Sequence, residues 1–293
     1  MSGNYEQVLA KSLQATIESE LDRLGLLFRV FSRAKSKTSI ESKIESKGVG
    51  YYSADGKKIQ DLFGVRIALY FPDDINIARQ ALEKLYPLVS QEVDPHDASQ
   101  FQALRCNFVF KLPETIVQDS QIIRTNELVD RTFEVQLRTV LSEGWHEVEH
   151  DLRYKCKEDW EKHADLNRAL NGIYASLETS DWGMMRLFED LTYRHYKAKE
   201  WAPMLRNKFR LRTGNDLSLK LENIIGQDDI GKLLYRLDRT ELILKILNKG
   251  IRFPLTINTL VYIANYYYIR DSRISNVTPT ALSRALDELE LSQ

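Results

Sequence analysis

The chain of 293 residues has few cysteines, no long hydrophobic run and almost no net charge. Its two cysteines, Cys106 and Cys156, are too few for a disulfide framework and lack metal-ligand spacing, which fits a reducing compartment. No apolar stretch approaches the ~20 residues of a membrane span, and the N-terminal segment lacks the layout of a signal peptide. We therefore expect a soluble cytoplasmic protein with no membrane partner.

The balance of charge limits how the protein can bind anions. Lys and Arg together number 41 and Asp and Glu 42, which gives a formal net charge of −1. Such a chain does not attract nucleic acid through its overall field. A phosphate site must therefore come from a local concentration of basic side chains.

Hydrophobic spacing predicts an α+β fold, in which a small mixed sheet is flanked by helices. Residues 5–31 have apolar positions at helical spacing, and Thr38 with Glu41 predicts the start of a second helix that ends at Gly48. Alternation of apolar and polar residues predicts strands over 65–71, 105–112 and 131–139. Nearly everything from Val140 onward has a helical pattern.

A soft boundary near Trp201-Ala202-Pro203 divides the chain into two predicted parts. Residues 1–200 contain the strands, and residues 201–293 form an appended C-terminal helical region. That region contains a cluster of tyrosines, which favours either a core or an interface for a regulator or an antitoxin. The cluster consists of Tyr262, Tyr266, Tyr267 and Tyr268.

One short motif suggests zinc chemistry. His146-Glu147-Val148-Glu149-His150 matches the H-E-x-x-H pattern, in which two histidines on one helix face bind Zn²⁺. A catalytic zinc also needs a third protein ligand, and the histidine expected a few residues later is absent. A metallopeptidase is therefore a minor alternative, and the histidines are more simply structural.

A longer pattern surrounds this motif. The stretch "FEVQLRTVLSEGWHEVEHDLRYK" resembles the strand-then-helix signature of the RelA/SpoT family of nucleotide pyrophosphokinases, and within it His146 and Glu147 are bystanders. Upstream, "RAKSKTSIESK" and "IQDLFGVRI" resemble two further motifs of the family, so that the resemblance covers residues 30–160. The positions that match in the long stretch are Glu134, Gln136, Arg138, Thr139, Trp145, Glu149, His150, Tyr154 and Lys155.

The resemblance implies a nucleotidyltransferase-like synthetase domain that transfers pyrophosphate from ATP to a ribose 3′-hydroxyl of a guanine nucleotide. Asp61 and Glu134 are then the catalytic carboxylates and the Mg²⁺ ligands, and Glu134 is also the general base. The residues implied to bind ATP are Arg33, Lys35, Ser39, Lys43 and Arg66. Those implied to bind phosphates or the acceptor are Gln136, Arg138, His150, Tyr154 and Lys155.

The residue types agree with this chemistry but leave alternatives open. Mg²⁺ prefers hard carboxylate oxygens, and basic side chains at a helix N-terminus favour phosphates. By resemblance, Arg33 and Arg66 sandwich the adenine of the donor. Taken alone, however, Asp61 could cap a strand, Glu134 could pair with Arg138, and the lysine-rich helix could be a solvated face.

The acceptor loop departs from the family pattern. In "DPHDASQFQALRCNFVF", Phe101 falls where the family has a guanine-stacking Tyr, and Arg105 falls where it has a His. The acceptor could be GDP or GTP held differently, another nucleotide, or the 3′ end of tRNA, as in the toxic branch of small alarmone synthetases. A catalytically degenerate nucleotide-binding module is a further alternative. Because only about 30 residues precede Arg33, we expect a stand-alone synthetase without the family's hydrolase domain.

Overall fold

The computed structural model of the protein describes residues 2–48, 50–93, 106–214 and 216–291, with the backbone alone for residues 2–4. These residues divide into two compact units. Unit 1 comprises Met1–Ser19 and Phe28–Ser180, and unit 2 comprises Glu20–Leu27 and Asp181–Gln293. The assignment of residues 1–200 and 201–293 to separate domains stays a prediction.

Unit 1 is built around a five-stranded mixed sheet with the strand order β1-β2-β5-β4-β3. Strands β2 and β5 pair in parallel, and the other three pairs are antiparallel. The predicted α+β class, with a small mixed sheet, flanking helices and a helical C-terminal region, is confirmed. The strands are β1 (Phe28–Ala34), β2 (Phe63–Leu69), β3 (Leu88–Val93), β4 (Cys106–Lys111) and β5 (Thr132–Thr139).

The central strands have one buried and one polar face because side chains alternate along a strand. Phe63, Val65 and Ile67 of β2 are at most 1% exposed, as are the equivalent apolar residues of β5. The intervening residues face the other way, and the register sets Gly64 opposite both Arg33 and Glu134. The sheet therefore aligns charged side chains from three strands on a single face.

Two strands were not predicted from the sequence. The helix expected over residues 5–31 ends at Arg23, and β1 follows after Gly25, whose φ of 68° is in the left-handed region. Glycine adopts this conformation readily and so allows the chain to turn there. Strand β3 was missed because all six of its residues are exposed, so it has no alternation between buried and exposed positions.

Seven α-helices and one π-helical segment lie in the described chain up to Trp160. Helix α2 is capped by Ser36 rather than by Thr38, since the Ser36 side chain accepts a hydrogen bond from the Ser39 backbone, and Gly48 ends it as predicted. The helices are α1 (Ser2–Arg23), α2 (Lys37–Lys47), α3 (Asp74–Leu85), α4 (Glu114–Asp119), α5 (Gln121–Thr125), α6 (Val140–Glu149) and α7 (Lys157–Trp160), with the π-helical segment His150–Tyr154.

The remaining described chain is helical, and none of its helices is both long and apolar enough to cross a membrane. In unit 2, Leu221, Leu242 and Leu260 are fully buried, whereas the four clustered tyrosines are only partly buried. A regulator or antitoxin at the tyrosines stays a prediction. The helices are α8 (Ala164–Ala198), α9 (Trp201–Phe209), α10 (Leu219–Ile225), α11 (Ile230–Arg236), α12 (Arg239–Asn248), α13 (Ile257–Ala264), α14 (Ser272–Val277) and α15 (Thr280–Leu291), with a second π-helical segment, Asn265–Ile269.

Candidate active site

An open pocket lies on the polar face of the sheet, where β1 ends and β2 and β5 begin. Gly64 leaves this face free of a side chain, and a Cβ at that position would come within 3.7 Å of Cγ and Nε of Arg33. The absent side chain gives a flat ligand room between the side chains of β1 and β5. The lining residues are Phe31, Ser32, Arg33, Gly64, Val65, Arg66, Glu134 and Gln136.

Two lysines enclose the carboxylate of Asp61 next to the start of β2. Lys35 Nζ lies 2.5 Å from Asp61 Oδ2, and Lys43 Nζ lies 2.8 Å from each of the two carboxylate oxygens. We call these three residues the lysine cluster. With two cations and one anion, it carries a net charge of +1.

The protonation of the lysine cluster reflects its mutual contacts. Burial raises the pKa of Asp61, but hydrogen bonds from Lys35 and Lys43 outweigh burial and hold this pKa below its ordinary value. Burial also lowers the pKa of Lys35, whereas for Lys43 the bonds to Asp61 overcome burial and raise the pKa. The ionised carboxylate is therefore well stabilised.

The first turn of α2 lies close in sequence to this cluster. Ser36 caps the helix, and its hydroxyl lies 2.8 Å from the hydroxyl of Ser39. Ser39 is exposed, so its hydroxyl and the helix N-terminus are open to an anion. Lys43 lies one turn further along and extends to Asp61.

A second charged group connects the sheet to helix α6. Arg138 of β5 donates from Nη1 to Glu143 Oε2 at 2.9 Å and from Nη2 to Gln136 Oε1 at 3.1 Å. Arg66 of β2 pairs with Glu143 Oε1 at 3.4 Å and also forms an ion pair with Glu147. We call Arg66, Arg138, Glu143 and Glu147 the arginine cluster, which has no net charge.

Local sequence explains why these carboxylates reach the sheet. Thr139, the last residue of β5, caps α6 through a capping box with Ser142, so the helix starts directly at the strand end. Glu143 and Glu147 are four residues apart and share one side of this helix. The short strand-to-helix junction therefore directs both toward the arginines of β2 and β5.

Burial and four charged neighbours act on the guanidinium of Arg66, which lines the pocket. Burial lowers its pKa, Glu143 and Glu134 act against that shift, and Arg33 and Arg138 add to it. All four side chains therefore lie close enough to Arg66 to act on its charge. The sequence missed the roles of Glu143 and Glu147, although their four-residue spacing after a strand that carries Arg138 is a usable signal.

Glu134 occupies the centre of the polar face between the two clusters. It is half-buried, lies opposite Gly64 on β2, and accepts a hydrogen bond of 3.1 Å from Gln136. The sequence left open a pairing of Glu134 with Arg138, but Arg138 bonds to Glu143 and Gln136 instead. The carboxylate of Glu134 is therefore not neutralised by Arg138.

The donor set fits a hard divalent cation. Asp61 lies two residues before β2 and Glu134 is the third residue of the parallel strand β5, so both carboxylates belong to the same edge of the sheet. Carboxylate oxygens are the protein ligands that Mg²⁺ prefers, and substrate phosphates commonly complete its shell. Asp61 would have to exchange a lysine contact for the ion.

The H-E-x-x-H motif forms no metal site among the described residues, which contain no group of three or more His, Cys, Asp or Glu that could hold an ion. His146 packs against Trp145 and Tyr174, with ring centroids 5.3 Å and 5.8 Å away. Burial, together with the charges of Arg138 and Arg66, lowers its pKa to about 3. The ring is therefore neutral and structural at neutral pH.

The remaining predicted residues lie apart from the pocket lining or outside the described chain. His150 and Tyr154 stack on the π-helical segment with centroids 5.9 Å apart, and Lys155 pairs with Asp151 at 2.6 Å. Their roles at an acceptor stay predictions. Phe101 and Arg105 lie outside the described residues, so their predicted contact with the acceptor is also untested.

Comparison with known proteins agrees with these motifs. Residues 32–159 match the family described as "Region found in RelA / SpoT proteins". The chain is 27% identical over 153 residues to "GTP pyrophosphokinase YjbM" of Bacillus subtilis (strain 168), a match that covers 51% of this chain and 66% of that protein. It is 26% identical over 133 residues to "GTP pyrophosphokinase YwaC" of the same organism, covering 44% of this chain and 59% of that one.

Two solved structures are similar to part of this chain. Small alarmone synthetase 1 from Bacillus subtilis, bound to its product pppGpp, has a TM-score of 0.47 at 21% identity, covering 62% of this chain and 92% of that one. A GTP pyrophosphokinase family protein from Streptococcus pneumoniae has a TM-score of 0.47 at 21% identity, with coverage of 64% and 90%.

Proposed function

Because residues 32–159 of this chain belong to the RelA/SpoT family, we propose that it is a nucleotide pyrophosphokinase that uses ATP as donor and a guanine nucleotide as acceptor. The observation that carries the proposal is the polar face of the sheet. There, the carboxylate of Glu134 lies in one pocket with two arginines, Arg33 and Arg66, and the lysine cluster lies at the adjoining strand end.

In the proposed reaction, the 3′-hydroxyl oxygen of the acceptor ribose attacks the β-phosphorus of ATP. The bond between that phosphorus and the oxygen bridging to the α-phosphate breaks, and AMP leaves. Glu134 takes the proton of the attacking hydroxyl as a general base. Little covalent chemistry falls to the protein, so positioning and charge compensation carry most of the rate enhancement.

Side chains of this chain would position the donor. Arg33 lies opposite Gly64 on β1, and Arg66 lies two residues further along β2 on the same face. Guanidinium planes stack well on aromatic bases, so the two arginines would hold the adenine. Lys35, Lys43 and the Ser39 turn would hold the phosphates. Mg²⁺ bound by Asp61 and Glu134 would neutralise charge on the phosphates.

Label transfer from γ-labelled ATP tests the proposal directly. The protein is incubated with Mg²⁺ and, in separate reactions, GDP, GTP, ATP or deacylated tRNA. We expect labelled product with GDP or GTP, together with stoichiometric AMP. If folded protein transfers label to none of the four acceptors, the proposed pyrophosphokinase activity is refuted.

Two alternatives are motivated by Phe101 and Arg105, which replace the acceptor-binding Tyr and His of the family. Label found only in tRNA would identify the toxic tRNA-modifying branch. Binding of nucleotide without transfer would identify a degenerate binding module.

An antitoxin or regulator on the helical region is proposed for the toxic branch, and growth arrest on expression, reversed by a neighbouring gene product, would support it.

A further inference from the structure

Helix α6 presents two carboxylates, Glu143 and Glu147, to the arginine side chains of β2 and β5, and the surroundings of the two carboxylates differ. The side chain of Glu143 is 11% exposed and uses one oxygen for Arg66 and the other for Arg138. Arg66 and Arg138 come from the neighbouring parallel strands β2 and β5. A single buried carboxylate therefore fixes the positions of two cations on different strands.

Glu147 differs from Glu143 in exposure and in partners. Its side chain is 50% exposed, against 11% for Glu143, and the arginine it contacts is Arg66. A part-exposed ion pair contributes little stability and exchanges readily with solvent or with another ion. Removing one partner of a buried pair is costly, because a charge is left uncompensated. Of the two contacts to Arg66, the one from Glu147 is the easier to break.

Charge compensation then sets a condition for nucleotide binding. Two arginines and two glutamates leave the arginine cluster without net charge, whereas the proposed donor is a polyanion. An arginine that already has a carboxylate partner attracts an anion less, and the carboxylate repels it. When Glu147 leaves Arg66, Glu143 still holds the guanidinium, but a carboxylate that repels the donor is removed and Arg66 is freer to stack on the base.

We infer that α6 controls the donor pocket through these two carboxylates: Glu143 is a positioning residue for Arg66 and Arg138, and Glu147 competes with the nucleotide for Arg66. This inference rests on the proposed function. It makes Glu147 a brake on donor affinity. Substitution of Glu147 should lower KM for ATP with little change in kcat, whereas substitution of Glu143 should raise KM and lower kcat together.

The state of Arg66 can be measured without any activity. Glu147→Gln, Glu114→Gln and the unaltered full chain are exposed to phenylglyoxal, which modifies arginine, and the modified peptides are quantified by mass spectrometry. Glu114 is an exposed glutamate of α4 and serves as the matched control. We expect Arg66 to be modified roughly two- to fivefold faster in Glu147→Gln, as the loss of a part-exposed pair implies, and unchanged in the control.

Binding of a non-hydrolysable ATP analogue with Mg²⁺ completes the test, and Glu147→Gln should bind it roughly two- to fivefold more tightly. Equal modification of Arg66 in Glu147→Gln and Glu114→Gln overturns the inference, as does faster modification with unchanged or weaker binding. If no variant binds the analogue, the competition is refuted together with the proposed function. The modification rates show separately whether Glu147 holds Arg66.

Discussion

The lysine cluster and the arginine cluster are made from the same kinds of charge but in different proportions. Two lysines share one carboxylate in the first, and two arginines face two carboxylates in the second. The lysine cluster can therefore accept phosphate oxygens without losing a partner. The arginine cluster must exchange a partner first, so it can control binding rather than simply attract the nucleotide.

Glu134→Gln should have the largest effect on transfer, because it removes the proposed general base. Glu134 belongs to neither cluster, so the substitution leaves the charge of both clusters unchanged. We expect transfer to fall by about 10²- to 10⁴-fold, the usual contribution of a general base. Label transfer is measured alongside thermal unfolding, which should change little. Undiminished transfer would remove Glu134 as the base and shift the explanation of catalysis to the clusters.

Lys43→Met would remove the difference in net charge between the two clusters. It leaves one lysine and one aspartate, so the lysine cluster becomes neutral. We expect donor affinity to fall by about tenfold, equivalent to ~1.4 kcal/mol, since a charge-assisted contact to phosphate is lost. Binding of the ATP analogue measures the effect. Lys162→Met, at an exposed lysine in the same unit, is the control, and equal losses in both variants would contradict a specific role.

A further prediction concerns pH and His146, which lies near the arginine cluster. Its folded-state pKa of about 3 is below the ordinary value of 6.5, so the unfolded chain takes up the proton first as the pH falls. The free energy of unfolding should therefore decrease from about pH 6.5 towards pH 3. Chemical denaturation of His146→Gln should show a shallower decrease, with His163→Gln as control. An unchanged slope would exclude this role.

Asp61 gives a second prediction about the pH dependence of stability, because the lysines that surround it lower its pKa. Its contribution to stability is present above the ordinary carboxyl value of 3.8 and is lost as the pH falls through the lower folded-state value. Asp61 and His146 should thus affect stability in different pH windows. Between about pH 5 and pH 8, Asp61→Asn should leave the pH dependence unchanged, and it should flatten that dependence in stronger acid.

Local patterns predict strands well where one face is buried. Alternation in β2, β4 and β5 reveals these strands because the core enforces it. Strand β1 was hidden, since Phe28 and Phe31 also fit the helical spacing of the preceding residues. Strand β3 has no buried face and so has no signal.

Motifs predicted which residues gather at the pocket, but not which charges pair. Arg33, Arg66, Glu134 and Gln136 do line one pocket. The pairing of Arg66 with Glu143 and Glu147 depends on how closely α6 follows β5, a tertiary feature that charge spacing alone does not determine. Glu147 therefore looked like a bystander in the sequence.

The π-helical segment His150–Tyr154 changes the side of the helix on which the last residues of the family signature lie. A π-helical turn contains an additional residue relative to an α-helical turn, so side chains beyond it are rotated by about 100° around the axis. Deleting one residue there would restore a regular helix and turn Lys155 toward a different side. Insertions and deletions, more than substitutions, would then decide where this end of the helix points.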